Sequence, residues 1–109
     1  MTVPEISATE AHERLASAEP PRLIDVREAE EWAICRIEAS ELLPLSSWPQ
    51  IARERLANPD EPLLVICHHG VRSAHAAQFL QQNGFTNVVN VGGGIEAWAC
   101  RVDPTMARY

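Results

Sequence analysis

The chain has 109 residues, 46% of them hydrophobic, and this predicts a single domain over residues 1–109 with a core of its own. Its formal net charge of −6, from 9 Lys and Arg against 15 Asp and Glu, argues against binding to nucleic acid or to an anionic membrane surface. No apolar run reaches the length of a membrane span and no secretory leader is visible at the N-terminus, so we expect a cytoplasmic protein.

The first third of the chain predicts a helix, a strand and a short helix in that order. Ser7 begins a capping-box pattern, and apolar residues then recur at helical spacing over 8–18. The two prolines at 20–21 end that helix. Residues 23–26 form a short apolar run that is typical of a strand, and 29–34 predict a short helix.

The middle of the chain predicts an edge strand and a helix. Residues 42–45 are apolar, but Pro44 cannot donate a ladder hydrogen bond, so a strand there belongs at the edge of a sheet. A helix is predicted over 48–56, starting near Pro49, because proline suits the first turn. Residues 58–62 predict a turn.

The remaining elements follow a strand that is apolar throughout, over 63–67. Continuous apolarity is typical of a strand buried on both faces of a parallel sheet. After a polar loop, the sequence predicts a helix, a strand, a glycine turn and a last short helix, over 73–83, 88–91, 92–94 and 95–100. Strands that alternate with helices predict an α/β fold, with a mainly parallel central sheet flanked by helices on both faces.

The polar loop that follows the buried strand carries the strongest chemical signal. Cys67 and Asp25 both lie at the carboxyl ends of their predicted strands, where ligands of such folds gather. The loop amides, the N-terminus of the next helix and Arg72 all place positive potential near Cys67. These three features favour the thiolate, which is the nucleophilic form. We therefore predict that Cys67 is a nucleophile.

The rest of the loop is predicted to bind the substrate. Gly70 permits a positive φ where a side chain would block the ligand. Ser73 can cap the helix or donate a hydrogen bond to the sulfur. The predicted binding residues are His68, His69, Gly70, Val71, Arg72 and Ser73.

This segment resembles the active-site loop of the rhodanese family, in which a cysteine begins a short loop that an arginine closes. Residues 23–28 are similar to the family's first core strand and turn, and 30–32 with Ile37 resemble its next helix and turn. Residues 92–98 resemble its C-terminal glycine turn and helix. The resemblance covers nearly the whole chain and implies a rhodanese-like fold.

The resemblance also implies an activity, that of a thiosulfate sulfurtransferase. Cys67 would take sulfane sulfur from a donor such as thiosulfate as a persulfide, and pass it to cyanide or a thiol. Arg72 would position the anionic donor, while Asp25 and Arg27 would support the site through salt bridges or hydrogen bonds. The implied partners are a small sulfur-containing anion and a sulfur-accepting protein or thiol, with no cofactor.

Loop length bears on the substrate. Four residues separate Cys67 from Arg72. In the family, a loop of this length goes with sulfur transfer, and phosphatases of the same fold have one residue more. Three alternatives stay open: a carrier that receives persulfide from another protein, a phosphatase or arsenate reductase, and a non-catalytic module.

The histidines and the other cysteines leave further alternatives. We expect the adjacent His68 and His69 to point apart, and no third ligand stands nearby, so no metal site is predicted. The two histidines either add positive potential when protonated or simply face solvent. The odd count of three cysteines predicts free thiols. Cys35 and Arg36 stand where the family has a Gly-His pair, and Cys35 is either a resolving thiol or a buried, inert one.

Overall fold

The computed structural model describes residues 3–109, so residues 1 and 2 of the predicted domain lie outside the described residues. The strands are β1 (Glu5–Ile6), β2 (Arg22–Asp25), β3 (Ser40–Leu42), β4 (Leu63–Ile66) and β5 (Val88–Val91). The α-helices are α1 (Ala8–Leu15), α2 (Ala29–Ile34), α3 (Gln50–Arg55), α4 (Val71–Gln82) and α5 (Gly94–Arg101). A 3-10 turn, Leu45–Ser47, lies between β3 and α3.

The five strands form one parallel sheet in the order β1-β5-β4-β2-β3. The predicted parallel sheet is therefore confirmed. β4 lies at the centre and all four of its residues are buried, as its continuous apolar sequence predicts. Since all strands are parallel, their carboxyl ends meet at one edge, where the functional side chains lie.

Helices cover both faces of the sheet, as predicted. Successive side chains of β4 point to opposite faces because the strand period is two. Leu63 and Val65 pack with apolar residues of α3 and α4. Leu64 and Ile66 pack with apolar residues of α1 and α5. The sheet is thus held between two apolar layers.

Several predicted element boundaries are wrong. β1 was not predicted, because its two residues are too few to show a strand period. α1 ends at Leu15 rather than residue 18. The edge strand predicted over 42–45 lies at Ser40–Leu42, at the sheet edge as expected. Pro44, which has no N–H to donate, instead precedes the 3-10 turn.

The start of α4 matters most for the site. The helix begins at Val71 and not at residue 73, so Arg72 and Ser73 lie in its first turn rather than in the loop and at its cap. Gly70 is the N-cap residue and has φ of +99°, which confirms the predicted positive φ. Pro49 likewise precedes α3 as its N-cap residue.

Candidate active site

The nucleophile predicted from the sequence lies at the carboxyl edge of the sheet. Cys67 directly follows β4 and is 1% exposed. Asp25 ends the neighbouring strand β2 and pairs with Ile66 in the sheet register. The two parallel strands therefore bring Cys67 and Asp25 to the same edge, as predicted.

The N-terminus of α5 donates two hydrogen bonds to carbonyl groups at the start of the loop. The amide of Ile95 donates to the Cys67 carbonyl at 2.8 Å, and that of Glu96 donates to the His68 carbonyl at 3.0 Å. Gly94 makes this approach possible, because a Cβ there would lie 2.3 Å from the Cys67 carbonyl oxygen. The loop carbonyls are thus bound to α5.

Donors surround the Cys67 sulfur on the other side. Its Sγ atom accepts from the amide of Gly70 at 3.1 Å and from the amide of Ser73 at 3.3 Å. The Ser73 Oγ atom also lies 3.3 Å from the sulfur. Both amides belong to the N-terminal turn of α4 or its cap, where the helix dipole favours negative charge. The arrangement suits an anionic sulfur.

Asn90 of β5 contacts Ser73, and no sequence pattern predicted it as a site residue. Asn90 is 1% exposed, and its Oδ1 atom lies 2.5 Å from Ser73 Oγ. Its Nδ2 atom donates to the Gly70 carbonyl at 3.1 Å and to the Glu5 carboxylate at 3.0 Å. Asn90 thus connects the loop to β1, although it lies 17 positions from Ser73 and 85 from Glu5 in the sequence.

Arg72 forms an ion pair with Glu31 that the sequence did not predict. Its two terminal nitrogens donate to the two carboxylate oxygens of Glu31 in α2, at 2.7 and 2.8 Å. The bidentate pair lowers the pKa of Glu31 to about 2 and raises the pKa of Arg72. Attraction between the Arg72 charge and Cys67 adds to the raised pKa of Arg72, after the larger effect of Glu31. Glu31 lies in the segment 30–32 that resembles the family, and it completes a capping box with Glu28, but neither signal pairs it with Arg72.

Asp25 and Arg27 form a buried ion pair beside this one. Both side chains are 0% exposed, and Arg27 Nη2 lies 2.8 Å from Asp25 Oδ2. Arg27 also donates to the Tyr109 hydroxyl at 2.9 Å, and that hydroxyl donates to Glu31 at 2.9 Å. Burial raises the pKa of Tyr109 to about 12. Tyr109, also missed, therefore links the two ion pairs.

Three aromatic rings stack at the mouth of the loop. The His68 ring lies 3.8 Å from the Tyr109 ring and 4.0 Å from the His69 ring, between centroids. The expectation that the histidines point apart is wrong, because they lie in a bend where strand alternation does not apply. Burial, and then the charge of His69, lowers the pKa of His68. Both effects disfavour the protonated form of His68.

The remaining predicted residues lie at the margin of the site. The Val71 side chain is 64% exposed and faces solvent. Cys35 is half-buried rather than buried, with its sulfur 3.9 Å from Arg27 Nη1. All three cysteines are free.

Within residues 3–109, no group of three or more His, Cys, Asp and Glu side chains is placed to hold a metal ion. In the same part of the chain, no helix combines the length and apolarity needed to cross a membrane.

Comparison with known proteins gives a consistent result. A family model described as Rhodanese-like domain matches residues 7–100. Thiosulfate sulfurtransferase GlpE of Vibrio cholerae is 37% identical over 76 residues, which cover 70% of each chain. The probable adenylyltransferase/sulfurtransferase MoeZ of Mycobacterium tuberculosis is 37% identical over 106 residues, 95% of this chain but only 26% of MoeZ.

The fold is also similar to solved structures. The crystal structure of a rhodanese-like domain protein from Staphylococcus aureus matches with a TM-score of 0.80 and 33% identity, over 88% of this chain and 91% of that one. Its likeness agrees with the parallel sheet and the helices on both faces.

Proposed function

Because the chain belongs to the rhodanese-like domain family, we propose that it transfers sulfane sulfur through a persulfide on Cys67. One observation carries the proposal: two amides, from Gly70 and Ser73, point at the Cys67 sulfur. Donors aimed at one atom stabilise negative charge on it or on a sulfur attached to it. A persulfide is such an anion.

The first half-reaction takes sulfur from the donor. The Cys67 thiolate attacks the outer sulfur of thiosulfate, a new S–S bond forms, and the S–S bond of thiosulfate breaks. Sulfite leaves with the electron pair, and the negative charge moves to the outer sulfur of the persulfide. Arg72 contributes positive potential here, reduced by its ion pair with Glu31.

The second half-reaction returns the enzyme to its starting state. The carbon of cyanide, or the sulfur of a thiolate, attacks the outer sulfur of the persulfide. The S–S bond breaks, Cys67 leaves as a thiolate, and the acceptor departs as thiocyanate or as a new persulfide. We propose no cofactor and no metal ion for either step, and a cytoplasmic location for the protein.

Intact mass spectrometry tests this proposal directly. Treatment with thiosulfate should add one sulfur atom, and cyanide should remove it and release thiocyanate. Cys67→Ser should abolish both changes. Since Cys35 and Cys100 are also free thiols, Cys35→Ser and Cys100→Ser are the matched controls and should keep the added sulfur. Sulfur that still attaches to the Cys67→Ser protein, or Cys67-dependent hydrolysis of p-nitrophenyl phosphate, would count against the proposal.

A second candidate is a carrier that takes its sulfur from a protein. Glu31 already neutralises much of the Arg72 charge, which weakens the attraction for a small dianion. Loading by a persulfide on a protein cysteine should then be faster than loading by thiosulfate at equal concentration. Equal or slower loading would return the assignment to the thiosulfate reaction.

A further inference from the structure

A chain of polar contacts runs from the Cys67 sulfur through the core to the first strand. Ser73 Oγ lies 3.3 Å from the sulfur and 2.5 Å from Asn90 Oδ1. Asn90 Nδ2 lies 3.0 Å from a carboxylate oxygen of Glu5. Ser73 is 0% exposed and Asn90 is 1% exposed, so water does not compete for the contact between them, whereas Glu5 lies at the surface. Nothing in the proposed reaction uses Asn90.

The orientation of the Asn90 amide follows from its neighbours. On one side it faces two acceptors, the Gly70 carbonyl and the Glu5 carboxylate. Turning the amide over would set its oxygen against both, which leaves one buried and one half-buried repulsive contact. The NH2 group must therefore face Gly70 and Glu5, and Oδ1 must face Ser73.

This orientation fixes the Ser73 hydroxyl proton. A serine hydroxyl has one proton and two lone pairs. Asn90 Oδ1 can only accept, and it lies 0.8 Å nearer to Ser73 Oγ than the sulfur does, at 2.5 against 3.3 Å. The proton therefore lies on the Asn90 side, and the Ser73 oxygen presents lone pairs to Cys67. On this reasoning Ser73 acts as an acceptor towards the sulfur, in place of the hydrogen bond to the sulfur that the sequence predicted, and the experiments below distinguish the two directions.

The consequence differs between the states of Cys67. A thiol can donate its S–H to the Ser73 oxygen, whereas a thiolate meets lone pairs there. In a persulfide, the Sγ atom is neutral and the outer sulfur carries the charge. The Ser73 oxygen is then compatible with the neutral Sγ atom, at which the amides of Gly70 and Ser73 also point.

We propose that Asn90 is a positioning residue that turns the Ser73 hydroxyl away from Cys67, so that the Ser73 oxygen itself opposes charge on Sγ and suits the neutral Sγ atom of the thiol and of the persulfide, while the two loop amides favour the anion. The statement about the persulfide rests on the proposed sulfur transfer. Glu5 supports the same arrangement by holding the Asn90 amide.

The direction in which one substitution moves the pH midpoint of Cys67 alkylation tests where the Ser73 hydroxyl points. Ser73→Ala removes a buried hydroxyl without adding bulk. The rate of alkylation by iodoacetamide is followed against pH, with the site of reaction at Cys67 checked by peptide mass. If Ser73 is an acceptor, the midpoint of this profile moves to lower pH. If Ser73 donates to the thiolate, the midpoint moves to higher pH, and the proposal is overturned.

A double-mutant cycle then tests Asn90. Asn90→Leu frees the Ser73 proton to bind the thiolate, so the midpoint should fall by about one pH unit, the worth of a hydrogen bond to a charged atom. In the Ser73→Ala protein, Asn90→Leu should leave the midpoint unchanged. An equal shift in both backgrounds means that Asn90 acts only through general structure, and contradicts the proposal. Circular dichroism checks that each variant is folded. If Asn90→Leu does not fold, the shift of the midpoint in Ser73→Ala alone decides whether the Ser73 hydroxyl points away from Cys67.

Other charged groups near the loop are common to all four proteins of the cycle, so their effects cancel. These are Glu5, Asp25, Arg27, Glu31, His68, His69, Arg72, Glu96 and Tyr109.

A second measurement separates this inference from the proposed function. Alkylation needs no sulfur donor, so the cycle can succeed even if thiosulfate never loads Cys67. Where loading occurs, titration with sulfite measures the balance between persulfide and thiolate. Asn90→Leu should shift that balance about tenfold towards the thiolate, by the same one-unit change. An unchanged balance would overturn the part of the inference that concerns the persulfide.

Discussion

Glu31 is the residue on which most contacts at the mouth of the loop converge. Its carboxylate accepts two hydrogen bonds from Arg72, one from the Glu28 amide and one from the Tyr109 hydroxyl. Chiefly because of the Arg72 contact, the pKa of Glu31 falls from 4.5 to about 2. A carboxylate whose pKa is lower in the folded state stabilises the fold only while it is ionised.

Glu31→Gln should therefore reveal a pH-dependent loss of stability. The contribution of Glu31 is complete above its unfolded value of about 4.5 and is lost as the pH falls towards about 2. The difference in free energy of unfolding between the wild type and Glu31→Gln should thus be constant near neutral pH and shrink below pH 4.5. Urea unfolding at a series of pH values measures it. Glu30→Gln, at an exposed position of the same helix, should show no such trend, and a constant Glu31 difference down to pH 3 would contradict the prediction.

At this scale, the sequence predicted the residues that lie next to one another in the chain. Cys67, Arg72 and Ser73 occupy one short segment with a recognisable order. Glu31 lies 41 positions from its partner Arg72, and Tyr109 lies 78 from Glu31. No local sequence pattern predicts these contacts, because the residues come together only in the folded chain.

The packing of α5 against the loop gives a prediction at the scale of elements. Gly94 has φ of +56°, and a Cβ there would lie 2.3 Å from the Cys67 carbonyl. Gly84, after α4, has φ of +92° but would meet nothing within 4 Å. Both Gly→Ala changes carry the backbone cost of about 1 to 2 kcal/mol, and Gly94→Ala adds about 1 to 3 kcal/mol for the clash.

Urea unfolding of the two variants separates these terms. Gly94→Ala should be clearly less stable than Gly84→Ala, and should also load sulfur poorly because the loop must move away from α5. Equal stability of the two variants would show that the contact between α5 and the loop is not tight.

Element boundaries were harder to predict than element types. The apolar run of β4 predicted a buried central strand, because side chains on both of its faces are covered. β1 has only two residues, and its pairing with β5 is a long-range event. The start of α4 was placed two residues late, because Gly70 and not Ser73 precedes the helix. A capping serine is the commoner pattern, and here the serine binds Asn90 instead.

For the whole molecule, the net charge of −6 opposes the approach of an anionic donor. Salt screens this repulsion, since the Debye length falls from about 30 Å at 0.01 M to about 8 Å at 0.15 M. The value of kcat/KM for thiosulfate should therefore rise about threefold over that range of ionic strength.

Two alkylating agents of the same size provide the matched control. The rate of Cys67 alkylation by anionic iodoacetate should rise with salt, whereas that by neutral iodoacetamide should stay constant. If thiosulfate turnover falls with salt, local attraction by Arg72 outweighs the charge of the whole molecule.

Tyr109 is the only tyrosine in the chain, and its ring stacks on His68 at the mouth of the loop. Replacing tyrosine with a fluorinated analogue during expression would therefore label one position only. The fluorine NMR signal would be sensitive to the rings and charges around the site. Donor binding, persulfide formation and docking of an acceptor could then be followed in solution without altering any cysteine.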